Sequence, residues 1–204
     1  NEFDAVIERR IGKRLKAKKL EINADWRGLL DAKFDNVAPA KKIDLEEEQA
    51  RKEKAAILQE LAQSRLGVLV GDAGTGKTTV LSVLCSHPEI KEGGVLLLAP
   101  TGKATVRMRD SMGRDMDGVT AQNVAQFLIK SKRFDWNEMR YKLSEYDYRD
   151  VPETVIIDEA SMLTEELFGA LLQALKAAKR SIFVGDPNQL PPIGAGRPFV
   201  DLVG

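Results

Sequence analysis

Residues 66–86 read LGVLVGDAGTGKTTVLSVLCS. An apolar run of strand length, residues 66–70, meets a glycine-rich turn, and a helical stretch follows over 77–86. Gly71, Gly76, Lys77 and Thr78 fill the fixed positions of G-x-x-x-x-G-K-[ST], in the strand-before, helix-after setting that this pattern requires. The glycines let the backbone turn so that its N–H groups point inward at phosphate oxygens, and the helix start adds the positive end of its dipole. Lys77 supplies a point charge for the β- and γ-phosphates, and Thr78 a hydroxyl for Mg²⁺. This one stretch implies a nucleoside triphosphate site.

Outward from it, three further apolar runs each meet a turn, at 94–99, 154–157 and 181–184. Helical patterns lie between them at 103–112, 121–130 and 164–178. Strands that are apolar along their whole length and alternate with helices imply an α/β fold: a parallel sheet with helices on both faces. Ligands in such folds bind at loops beyond the C-terminal ends of the strands. Upstream, 45–64 reads as a helix with Asp44 as its N-cap. Residues 1–44 read as a basic, partly helical N-terminal segment and connector, with 45–204 as the main domain. The cationic cluster between Arg9 and Lys19 reads as a solvated helix face or as a contact to a nucleic-acid backbone. Residues 131–150 break the rhythm, with Phe134, Trp136, Tyr141, Tyr146 and Tyr148 interleaved with Lys132, Arg133, Arg140 and Lys142. That segment fits an inserted hairpin packing its rings on the domain, or a platform for single-stranded bases.

Composition narrows the class. With 43% hydrophobic and 30% charged residues, and no apolar run long enough to span a bilayer, the chain reads as soluble, with no membrane partner. The charged N-terminus lacks a signal peptide's apolar core, and the single cysteine, Cys85, excludes an intrachain disulfide framework, so a cytoplasmic setting is expected. Cys85 reads as buried packing, and the single histidine, His87, as a helix-end residue. Lys+Arg and Asp+Glu both number 31, so any nucleic-acid surface has to be local. The first residue is not methionine and the chain stops abruptly, which reads as a piece of a longer protein.

Two more loops carry chemistry. Asp158 and Glu159 follow the apolar run 154–157. Asp158 at a strand end would hold Mg²⁺ mostly through water, and Glu159 is placed to polarise the water that attacks a γ-phosphate. Such a pair argues for hydrolysis as well as binding. The third loop, VGDPNQLPP at 184–192, follows the last apolar run.

Four blocks in order, GDAGTGKTT at 71–79, LAPTGKAT at 98–105, IIDEASML at 156–163 and VGDPNQLPPIGAG at 184–196, resemble superfamily 1 helicases of the RecD-like branch. The resemblance runs over residues 45–204 and implies a RecA-like P-loop NTPase fold, the first of two motor domains. It implies ATP with Mg²⁺ as cofactors, and Gly74, Thr75, Gly76, Lys77, Thr78 and Thr79 around the nucleotide. Gln49 would read the adenine edge. Thr101 and Lys103 would touch the backbone of a single-stranded DNA partner. Gln189 would sense the γ-phosphate and join Lys77 and Glu159 in catalysis. A second RecA-like domain of the same full-length chain would supply arginines to the site. The implied activity is 5′-to-3′ translocation driven by ATP hydrolysis, with this portion alone weakly active. One departure is Asn123, where the family usually has a histidine. Two other readings stay open: a single-domain RecA-like ATPase acting on RNA, as in the PhoH group, and a nucleotide-dependent interaction module. Against the second, no Asn-Lys-x-Asp guanine-reading motif occurs.

Overall fold

Alternation of side chains along three buried strands organises the core. In β2 (Val95–Ala99), Val95 and Leu97 enter one hydrophobic cluster while Leu96 and Leu98 enter another. The same split divides Ile156 from Val155 and Ile157 in β6 (Thr154–Ile157), and Ile182 and Val184 from Phe183 in β7 (Arg180–Gly185). Successive residues of a strand point to opposite faces, so both faces have to be covered. The computed structural model describes residues 1–35, 44–72, 76–113 and 117–186.

Among the described residues the main sheet has five parallel strands in the order β1-β7-β6-β2-β3, where β1 is Leu66–Val70 and β3 is Val119–Asn123. One face is covered by α2 (Trp26–Asp35), α3 (Leu45–Gln63), α4 (Lys77–Ser86), α5 (Pro88–Glu92) and α6 (Gly102–Met112). The other carries α7 (Val124–Lys130) and α8 (Glu165–Ala174), with α1 (Glu2–Lys16) laid over α8. This is the expected RecA-like α/β arrangement, helices on both faces.

The chain order of the strands differs from their order in space. β1 is flanked by β7, and β6 lies between β7 and β2. The C-terminal ends of β1, β7 and β6, far apart in sequence, thereby lie side by side at one end of the sheet. That end is where a doubly wound sheet binds ligands.

Two local readings change, and the hairpin expected within 131–150 is found. The stretch 121–130 is not one helix: β3 occupies 119–123 and α7 begins at Val124. β3 sits at the sheet edge with half-buried, largely polar residues, so it lacks the apolar run that marks the other strands. Asn123 ends it, and its side chain accepts a hydrogen bond from the Gln126 N–H at 2.8 Å, capping α7. Second, residues 21–44 are not only connector, because Trp26 and Leu30 of α2 are buried against α3 and α4. The Trp26 Nε1–H donates to Gln59 at 2.7 Å, and Arg51, nearly buried, is held by Asp31 and Glu47 with its guanidinium 4.8 Å from the Phe34 ring. The hairpin, between β4 (Phe134–Asp135) and β5 (Arg140–Tyr141), is short. Phe134 sits edge-on to Trp136 and Tyr141, and Tyr148 is buried against Phe127.

The basic N-terminal helix is part of the packing. Phe3, Ile7 and Ile11 rest on the second cluster, and a Cβ on Gly169 would lie 2.9 Å from the Phe3 ring, so glycine lets the two helices approach. Arg14 donates to the carbonyls of Arg65, Leu175 and Ala178 at 2.6–3.0 Å. Burial, with Arg10 and Arg65 nearby, pushes its pKa down to about 10.

Candidate nucleotide site

Gly76 precedes α4 at φ 85°, in the left-handed region where glycine carries no Cβ penalty. A Cβ there would also lie 3.2 Å from Cε of Lys54, a residue of α3. α4 follows with no side-chain cap, leaving its first N–H groups open to an anion. Lys77 opens the helix, and its ammonium turns back onto the loop, donating to the carbonyl of Gly71 and to that of Asp72 at 3.2 Å. Thr78 is exposed and Thr79 half-buried. Gly74 and Thr75 lie outside the described residues, as does Gln189 in the third loop.

Two strands over, the Asp158 N–H donates to the Leu98 carbonyl at 2.8 Å, carrying the β2–β6 ladder one residue past the strand end. Its Oδ1 accepts the N–H of Glu159 at 2.8 Å. Glu159 stands at φ 52°, an unusual conformation for a non-glycine residue. Backbone strain of this kind concentrates at functional sites, at a cost of about 1–3 kcal/mol. The Glu159 carboxylate is ion-paired with Arg107 of α6. Lys77, Thr78, Asp158, Glu159 and Arg107 line one cavity of about 290 Å³, bounded on the β7 side by Val184 and Gly185.

The cavity fits a triphosphate and a divalent cation on this structure's own terms. An ammonium, a hydroxyl, an open helix start and the carboxylates of Asp158, Glu159 and Asp186 meet where phosphate charge and a hard cation would need them. Lys77 is occupied with neutral carbonyl oxygens, which a phosphate would displace at little cost.

Thr101 and Lys103 lie at the start of α6, just after β2, which pairs with the strand that leads to Asp158. Thr101 is the N-cap of α6, its hydroxyl accepting the Ala104 N–H at 3.1 Å, and Lys103 is exposed on the first turn. Gln49 is not brought to the P-loop by any described contact. It is exposed on α3, donating to Glu53 at 3.0 Å. Arg51, Leu58 and Leu61 define the buried face of α3, and Lys54, at helical spacing from all three, is the residue that faces Gly76. Arg180 lies at the opposite end of the sheet, buried, donating to the Ala62 carbonyl at 2.9 Å and to Thr154 Oγ1 at 2.7 Å. It is a packing residue. His87 joins α4 to α5 with its ring 5.2 Å from that of Trp26. Cys85 is buried, and desolvation pushes its thiol up to about 12.

Sequence reasoning missed Arg107 and Lys54. Arg107 had one signal, its position four residues after Lys103 on the same helix face.

A glycine-rich loop between the first strand and its helix, with a carboxylate pair at the end of a parallel strand two places over, defines a P-loop nucleotide-binding domain of RecA-like fold. A family model described as an AAA domain matches residues 45–204, and the chain belongs to that family. Within it the chain is a superfamily 1 motor domain of the RecD-like kind. It is 37% identical to an ATP-dependent RecD2 DNA helicase of Deinococcus radiodurans over 74% of this chain and 19% of that protein. It is 30% identical to a RecBCD enzyme subunit RecD of Mycolicibacterium smegmatis over 77% of this chain and 30% of that protein. An uncharacterised protein of Methanocaldococcus jannaschii is 32% identical over 98% of this chain and 18% of its own length. The chain thus spans less than a third of these relatives. Among solved structures, T4 UvsW shares the fold, with a TM-score of 0.51 at 12% identity over 86% of this chain and 43% of that one. Among the described residues no helix is long and apolar enough to cross a membrane.

Proposed function

We propose that this chain is the ATP-binding and hydrolysing first motor domain of a RecD-like DNA helicase, one that couples hydrolysis to 5′-to-3′ translocation on single-stranded DNA. One observation carries the reading: Lys77 and the Asp158–Glu159 pair, distant in sequence, line the same cavity at one end of the sheet. Lys77 binds the β- and γ-phosphates, with the loop through Gly74, Thr75 and Gly76 and with Thr79 completing the cradle. Thr78 and Asp158 hold Mg²⁺, which when bound screens the phosphate charge. Glu159 orients and deprotonates the attacking water, and Gln189 senses the γ-phosphate. Gln49 reads adenine, a role that requires its bond to Glu53 to open. Thr101 and Lys103 bind the strand backbone from the start of α6. The short share of each relative that the chain spans supports a site completed elsewhere, by arginines of a second RecA-like domain. Such arginines are worth roughly 10³–10⁵ in rate. In this reading residues 45–204 are the motor, residues 1–44 an appended basic segment, and the setting cytoplasmic.

The test is single-turnover ATP hydrolysis by this chain with and without single-stranded DNA. Slow turnover is expected, and Glu159→Gln should keep nucleotide binding while losing that turnover. Fast, strongly DNA-stimulated turnover by this chain alone would sink the two-domain site. Unchanged turnover in Glu159→Gln would remove Glu159 as the base.

A further inference from the structure

The Arg107–Glu159 ion pair joins the hydrolytic carboxylate to the helix that begins at the proposed strand contact. Glu159 is mostly enclosed, at 19% exposure, whereas Arg107 is 67% exposed. The enclosed partner is held by a long side chain that is free to leave. The backbone of α6 is not: Ala104, Met108 and Met112 anchor it in the core, so any movement belongs to the Arg107 side chain. Lys103 and Arg107 stand one turn apart on the same face of α6. A guanidinium fork recognises a carboxylate and a backbone phosphate by the same geometry. A phosphate arriving beside Lys103 therefore competes directly with Glu159 for Arg107.

We infer that Arg107 is a positioning residue that holds the Glu159 carboxylate away from the attacking water, and that a nucleic-acid phosphate bound along α6 draws Arg107 off and releases it. This rests on the reading of Glu159 as the base and of the start of α6 as a strand contact. By reciprocity, whatever weakens the Arg107–Glu159 pair strengthens strand binding.

That reciprocity gives a test independent of turnover. Affinity of the chain for an oligodeoxythymidine strand is measured by fluorescence anisotropy without nucleotide, for the wild type, Glu159→Ala, Arg107→Ala and the double variant. A partly exposed ion pair gives a modest coupling, so Glu159→Ala should tighten strand binding about two- to fivefold. The gain should vanish in the double variant, and Arg107→Ala alone should weaken binding. In single-turnover hydrolysis without strand, Arg107→Ala should raise the limiting rate about two- to fivefold at unchanged half-saturating ATP, and Arg107→Lys should restore the low rate. Strand affinity unmoved by Glu159→Ala overturns the coupling. A lower rate or weaker ATP binding in Arg107→Ala overturns the restraint, because Arg107 would then be serving the nucleotide itself. A wild-type chain that binds no strand brings down the nucleic-acid reading and the coupling together, while the strand-free rates still decide the restraint. If Glu159→Gln keeps its turnover, the base reading fails while the affinity cycle still decides the coupling.

Discussion

The two ends of the parallel sheet use arginine in opposite ways. At the end where β6 and β7 begin, Arg180 is buried and Arg14 partly buried, their donors taken by carbonyls of Ala62, Arg65, Leu175 and Ala178 and by the Thr154 hydroxyl. Burial lowers the pKa of both, the mark of charge held in place by packing. At the end where β6 and β7 finish, Arg107 reaches into an open cavity toward a carboxylate and keeps two-thirds of its side chain in solvent. The difference separates charge that closes an architecture from charge that is available to a ligand. A buried guanidinium on neutral acceptors has nowhere to move. An exposed one on a carboxylate exchanges partners for about 0.2–1 kcal/mol.

The contrast breaks most sharply at Lys77. Lys77→Ala should weaken ATP binding more than about a hundredfold, two lost charge-assisted contacts at about 1.5–3 kcal/mol each. The melting temperature should stay near wild type, because the ammonium now rests on carbonyls that water would serve equally well. Equilibrium binding of a fluorescent ATP analogue beside a thermal melt checks both halves. Arg180→Met is the converse at the other end: stability should fall by about 1–3 kcal/mol as the Thr154 hydroxyl and the Ala62 carbonyl lose a buried partner. ATP affinity should be untouched. Denaturant melts decide it, and a large loss of ATP affinity with no loss of stability would erase the distinction between the two ends.

The effect that is smallest at neutral pH concerns Cys85, close to Arg180 on the packing side. Its thiol is pushed up to about 12 in the fold, whereas an unfolded thiol ionises near 8.5. The folded state therefore keeps a proton that the unfolded state loses, and stability should decline as pH rises from about 9 toward 12. A Cys85→Ala variant should show a shallower decline in alkaline denaturant melts. In native protein at neutral pH the thiol should resist a thiol reagent until denaturant is added.

Much of the architecture was legible because it follows from local chemistry. Residues 66–70, 94–99, 154–157 and 181–184 are apolar on both faces, and only a strand covered on both sides tolerates that pattern. Asp44 before an acidic first turn marked the start of α3, and its side chain does accept the Glu47 N–H at 2.8 Å. β3 escaped because an edge strand, half-covered, tolerates Thr120, Gln122 and Asn123. α2 escaped because its burial comes from two large side chains, Trp26 and Leu30, within otherwise polar sequence. At the site, Lys77, Thr78, Asp158 and Glu159 were legible from pattern and context. Lys54 was not, since nothing local distinguishes a helix lysine that faces Gly76 from one in water.

By itself the sequence determined which residues are candidates for phosphate and proton chemistry, and that they sit at strand ends. Backbone turning, side-chain charge and hydrophobic period are properties of a few neighbouring residues. Only the tertiary structure decided the neighbours. The order β1-β7-β6-β2-β3 places the Lys77 loop, the Asp158 loop and the start of α6 along one end of the sheet, and α6 then carries Arg107 across to Glu159. Strand order and helix crossing are set by packing the whole core, which no short stretch of residues encodes.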